Sequence, residues 1–175
     1  MGKAFNITGI CVPKKHYMVD ITSKLEQIKL KIDKEEYFTI NRGRQYGKTT
    51  TLLALEKYLR DEFIVISLSF EDFNDEEFEN ANNFCQAFLL KTHKALQFTS
   101  VSEAYRKKWL NPSAINFSSL SNHITELCRG KSLVLMIDEV DKVSNNRVFL
   151  GFLSKLREKF LARSAEKMKP STALF

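Results

Sequence analysis

Two short stretches of this 175-residue chain carry residue types that could handle phosphate and a divalent metal. The first is "NRGRQYGKTT", Asn41 to Thr50, and the second is "LVLMIDEVDK", Leu133 to Lys142. A phosphate cradle needs unpaired N–H groups at a helix start and a glycine that lets the backbone come close. It also needs an ammonium for the β- and γ-phosphates and a hydroxyl for Mg²⁺. Gly47, Lys48 and Thr49 supply the last three in the required order. The usual loop reads G-x-x-x-x-G-K-[ST], but here the residue five before Gly47 is Arg42 and the nearest glycine is Gly43. Arg42 and Arg44 face phosphate, sit in solvent or pair with acids. An apolar strand ending in Asp138-Glu139 has the Walker B form, with Asp138 binding Mg²⁺ directly or through water and Glu139 orienting the attacking water. An acidic pair capping the next helix is the plainer alternative. The candidates are therefore Arg42, Gly43, Arg44, Gln45, Tyr46, Gly47, Lys48, Thr49 and Thr50 for the nucleotide, Thr49 and Asp138 for metal, and Lys48 and Glu139 for catalysis. Asp141 and Lys142 are read as solvated or helix-capping.

Both stretches need a strand before them and, for the first, a helix after. "YFTI", Tyr37 to Ile40, is β-rich, and Leu52, Leu55 and Leu59 share one face of a helix starting near Lys48. "FIVISLSF", Phe63 to Phe70, reads as a buried strand. "LVLMI", Leu133 to Ile137, is a continuous apolar run suited to a strand covered on both faces. Helices are expected from a Ser23/Glu26 capping box with Leu25, Ile28 and Ile32 inward, and over about 75–97 with Phe78, Phe84, Phe88 and Leu89. Others are expected over 102–110, through Leu120, Ile124, Leu127 and Cys128 to a stop at Gly130, and over about 145–163 with Phe149, Phe152, Leu153, Leu156 and Phe160 inward. The alternation of strand and helix predicts an α/β fold.

Net charge is +6, but acids and bases alternate along the chain, which argues only weakly for a nucleic-acid surface. Cys11, Cys85 and Cys128 lie far apart without metal-ligand spacing and are expected as buried thiols. His16, His93 and His123 are too scattered to form a site, and Trp109, Met18 and Met136 read as packing residues. No apolar run is long enough for a membrane helix and the N-terminus lacks a signal-peptide core, so a cytoplasmic protein is expected.

Together, "TGICVPKKHYMVDITSKLEQI", "YFTINRGRQYGKTTTLLALEKYL", "IVISLSFED" and "VLMIDEVDKVSNNRVFLGFLSKLREKFLAR" resemble the AAA-ATPase-like family of bacterial proteins over residues 5–163. These proteins pair a P-loop ATPase domain with a C-terminal nuclease-like domain of the PD-(D/E)XK kind. The family loop reads Arg-Pro-Arg-Gln-x-Gly-Lys-Thr, so Arg42, Arg44, Gln45, Gly47, Lys48 and Thr49 match and Gly43 stands where proline is usual. The resemblance implies ATP with Mg²⁺, a three-layer parallel sheet flanked by helices, and adenine near Tyr17 to Ile21. ATP over GTP rests on the resemblance alone.

The chain departs from the family after Arg163, where "SAEKMKPSTALF" shows no expected strand, sensor residue or arginine finger. With sheet order 5-1-4-3-2, Tyr37–Asn41 would be strand 1, Phe63–Phe70 strand 2 and Leu133–Ile137 strand 3, and the gap at strand 4 would expose strand edges. A single partial domain over 1–175 with a divergent tail, incomplete at its C-terminal side, is expected to be marginally stable. A protein partner or further segment would complete the sheet. Functionally the sequence points to an ATP-binding domain with weak or no hydrolysis. The alternatives are a nucleic-acid-binding module and a regulatory protein that keeps the fold without the nucleotide. Arg157 and Arg163 are read as solvated.

Overall fold

The computed structural model describes residues 4, 15–17, 19–40, 47–111, 113–166 and 172–174, with side chains described only as far as 161. Arg42, Gly43, Arg44, Gln45, Tyr46, Cys11 and Met18 fall outside the described residues.

Helix α1 (Thr22–Asp33) buries Leu25, Ile28 and Ile32, one face of a 3.6-residue period. Its start is held not by a Ser23/Glu26 capping box but by Asp20, whose carboxylate accepts from the Thr22 N–H and hydroxyl at 2.9 and 2.6 Å. Asp20 lies outside the helix, where a short acceptor can turn back onto the first free N–H. Helix α2 (Lys48–Leu59) begins where its leucine pattern predicts and buries Thr51, Leu55 and Leu59. Strand β1 (Ile64–Ser69) follows, then 3₁₀ turns at Phe70–Asp72 and Glu76–Phe78. The single helix expected over 75–97 is interrupted at Asn80. Its extended backbone and side-chain bond to the Asn83 N–H start α3 (Ala81–Ala95) afresh. Next come α4 (Glu103–Lys107) and α5 (Phe117–Leu127), the latter opened by a capping box between Asn116 and Ser119. After β2 (Leu133–Asp138) and a 3₁₀ turn (Val140–Val143) run α6 (Arg147–Glu166) and the short β3 (Thr172–Leu174).

The sheet is parallel, in the order β1-β2-β3. β1 and β2 pair along their whole length, from Ile64 opposite Leu133 to Ser69 opposite Asp138. β3 adds three residues on the other side of β2, opposite Leu133 to Leu135. Two expectations are corrected here. Tyr37 to Ile40 form no strand: Tyr37 packs toward one core cluster and Phe38 and Ile40 toward another, alternating as extended chain does, but they have no ladder partner among the described residues. A strand exists through its ladder, not its residue types. Conversely, a strand does follow α6, because an open main-chain edge accepts any extended segment, whatever its side chains.

Period-two alternation sends β1 and β2 side chains to opposite faces. Ile66, Leu68, Leu133 and Leu135 enter a cluster with Phe84 and Phe88 of α3, Leu120 and Ile124 of α5, and Phe149, Phe152 and Leu156 of α6. Val65, Val134 and Met136 meet Leu25, Ile28 and Ile32 of α1 and Leu55 and Leu59 of α2. The result is a mixed α/β structure, a small parallel sheet flanked by helices. Trp109 and Met136 are packing residues, and Cys85 and Cys128 are buried thiols, as expected. Among the described residues no helix is long and apolar enough to cross a membrane.

Candidate nucleotide site at the strand ends

Because β1 and β2 run parallel and end level, Ser69 and Asp138 sit side by side at their carboxyl ends. Helix α2 is tied to the same sheet face by its leucines and by the Ser67 hydroxyl, which donates to Glu56 at 3.1 Å. Its first residues therefore arrive at the end of β2.

Gly47 caps α2 with φ +73°, in the left-handed region. A Cβ there would meet no atom within 4 Å, so the backbone angle, not space, favours glycine. The Gly47 carbonyl accepts from the Thr51 N–H and hydroxyl, both at 2.9 Å, which fixes the first turn. Lys48 then points to Asp138, with Nζ 2.8 Å from Oδ1 and 3.8 Å from Glu139 Oε1. The Thr49 hydroxyl lies 3.4 Å from the other Asp138 oxygen, longer than an ordinary hydroxyl bond. Thr50 is partly buried beside them. The hydrogen bond from Lys48 to Asp138 raises the Lys48 pKa, opposed by burial and reinforced by the charges of Asp138, Glu139 and Asp141.

Glu139 is one of two non-glycine residues at positive φ among the described residues, at +56°. Its N–H donates to Asp138 Oδ1 at 2.8 Å, so the chain folds back on the carboxylate it has just presented. Such a conformation costs an ordinary residue on the order of 1–2 kcal/mol. Here it turns the Glu139 side chain toward Lys48 instead of along the strand.

The structure thus brings together Lys48, Thr49, Asp138 and Glu139 from stretches far apart in sequence. It also adds a contact that sequence reading passed over. Lys142, in the turn after Glu139, pairs with Glu71, in the turn after β1. The available signal was the pair of acids that ends "SLSFED" directly after a strand. The ion pair with Glu71 raises the Lys142 pKa, helped by Glu139 and Asp141. Tyr17 is 56% exposed, and its N–H donates to the Ala4 carbonyl at 3.0 Å. Arg157 is exposed. A groove lined by Asn74, Glu77, Gln86, Leu90 and Asn111 lies along α3. Its polar groups already have partners: Gln86 donates to the carbonyls of Asn111 and Ala114, and Glu77 pairs with Lys91. No cluster of His, Cys, Asp and Glu suited to hold a metal by itself occurs among the described residues.

The sequence profile of the AAA-like domain matches residues 17–169. The chain belongs to the AAA-like domain family. The match begins later than the resemblance read from the sequence and runs past the end of that resemblance at 163, to just beyond the end of α6. No curated protein and no solved structure matches the chain. Membership of an AAA-like family agrees with an ATPase-like α/β chain whose conspicuous polar cluster stands at the carboxyl ends of parallel strands.

Proposed function

We propose that this AAA-like protein binds Mg–ATP at the ends of β1 and β2, with slow or no turnover by the isolated chain. The observation that carries the reading is the 2.8 Å approach of Lys48 to Asp138, which joins the two phosphate-type motifs in one place. Helix clusters on both faces of the sheet support the finer reading of a three-layer P-loop arrangement.

In this reading the α2 N-terminus and Lys48 hold the β- and γ-phosphates, and Lys48 exchanges its contact with Asp138 for one with phosphate. Arg42, Gly43, Arg44, Gln45, Tyr46 and Thr50 belong to the same cradle by sequence position. Thr49 and Asp138 face each other with hard oxygen donors, which suit Mg²⁺. The metal, when bound, would neutralise charge on the phosphate oxygens. Glu139 orients a water in line with the γ-phosphorus. The water oxygen bonds to phosphorus as the bond to the β–γ bridging oxygen breaks, leaving ADP and phosphate. Slow turnover is expected because no sensor residue or arginine finger is assigned in the sequence, and an arginine finger is worth about 10³–10⁵ in rate.

Thermal unfolding with and without Mg–ATP tests this. Ligand at 100 times its dissociation constant should add about 2.7 kcal/mol to the wild type and nothing to Lys48→Ala. Glu139→Gln should keep the shift and lose phosphate release. A cooperative transition that ignores nucleotide would sink the proposal.

A further inference from the structure

Lys142 is exposed, as a solvated residue is, but it also has a fixed place in the fold. Its N–H donates to the Glu139 carbonyl at 3.3 Å, which ties it one turn from the proposed base. Its ammonium reaches across to Glu71 in the turn after β1. Since Ser69 and Asp138 are level in the sheet, this contact bridges the ends of both strands on the side where ligands of parallel sheets bind. Its surroundings are acidic, since the charges of Glu139 and Asp141 act on Lys142 along with that of Glu71. A triphosphate entering there adds negative charge and needs cations beyond Lys48.

The pair with Glu71 is also easy to exchange. Its side chains are 44% and 63% exposed. Exposed pairs of this kind contribute little, and lysine is a point charge on a flexible stem that swings at small cost. We propose that Lys142 is a phosphate-contacting residue of the nucleotide site, passing from Glu71 to the terminal phosphate and thereby distinguishing ATP from ADP. The inference rests on the nucleotide reading above. Lys48 serves any bound phosphate, whereas Lys142, at the rim, serves the one that only the triphosphate has. Glu71 is then its competitor, a negative charge that holds Lys142 back until a stronger anion arrives.

Calorimetric titration with Mg–ATP and Mg–ADP tests the idea in the wild type, Lys142→Gln, Glu71→Gln and the double variant. Lys142→Gln should weaken ATP about tenfold, the loss of one hydrogen bond to a charged group, and leave ADP unchanged. Glu71→Gln should tighten ATP a few-fold by releasing Lys142, and the double variant should behave like Lys142→Gln alone. Lys142→Arg, which keeps the charge, should recover most of the ATP affinity. Equal effects on ATP and ADP, or none on either, would overturn the inference while leaving the site intact. A mere latch between the two turns would lower the unfolding midpoint of both single variants without changing the ATP-to-ADP ratio, which also overturns it. A wild type that binds neither nucleotide overturns the site reading itself, a distinct result because it needs no variant to see.

Discussion

The two faces of the β1–β2 pair are built very differently. On one, twenty-three buried residues form a single cluster, and on the other only eight do, among the described residues. The larger side is aromatic. Phe84, fully buried, touches the rings of Phe70, Phe73, Phe78, Phe88, Phe117 and Phe152, with centroids 4.9 to 6.2 Å apart. The smaller side is aliphatic, and it is the side that delivers Lys48 and Thr49. The difference teaches a division of labour. Folding stability is concentrated away from Lys48 and Thr49, and the helix that carries those two residues rests on a thin aliphatic layer.

Breaking each face in turn should separate the two roles. Phe84→Ala should cost about 3–5 kcal/mol and Leu55→Ala about 2–5 kcal/mol, read by urea unfolding. The division predicts that Leu55→Ala also weakens Mg–ATP binding in the folded fraction, whereas Phe84→Ala leaves it near wild type. The opposite pattern would dissolve the comparison.

Alkaline pH should sharpen it. Burial pushes the Cys85 thiol up to about 11 from an ordinary 9.0, and Tyr105, in the same aromatic cluster, up to about 12. The fold favours the protonated thiol, while the unfolded chain releases that proton from about pH 9. Stability on the aromatic side therefore falls as pH rises from 9 toward 11. On the other side the Lys48 pKa is raised by Asp138, so that contribution is complete below the ordinary 10.5 and is lost only above it. Between pH 9 and 10.5 the wild type should lose about 1–2 kcal/mol, Cys85→Ala should show a flatter profile, and Lys48→Ala should follow the wild type. Urea midpoints across that range check all three.

The smallest effect concerns strained backbone. Glu35, just after α1, has φ +57°, and Glu139 has φ +56°. Glycine at either position should stabilise by up to about 1 kcal/mol. Glu139→Gly should do so while abolishing nucleotide turnover, and Glu35→Gly should leave turnover alone. Thermal midpoints alongside phosphate release would expose any exception.

What could be read in advance follows from the range of each physical signal. β2 was legible because a strand covered on both faces must be apolar without interruption, and Leu133 to Met136 are all buried. Helices α2, α3, α5 and α6 were legible from their leucine and phenylalanine periods. The break at Asn80 was missed although Asn80, a residue type favoured at helix starts, carried the capping signal. Tyr37 to Ile40 and Thr172–Leu174 were misread in opposite directions for one reason, that pairing is made by main chain and leaves little trace in three or four side chains. Lys48, Thr49, Asp138 and Glu139, which the structure brings together, could be picked out because each motif is local. The partnership of Glu71 with Lys142 was not, because it depends on the register between two distant strands.

That register has a consequence in time. Ile64 pairs with Leu133 and Ser69 with Asp138, so everything from Phe70 to Ser132 must first close as one long loop. Closing such a loop costs chain entropy before any contact repays it, and non-local parallel pairing is slow for that reason. Lys48 and Thr49 stand at the start of α2, but the carboxylate they face is not held in place until that loop has closed. The gathering of the intervening helices around their phenylalanines is therefore the event on which assembly of the site must wait.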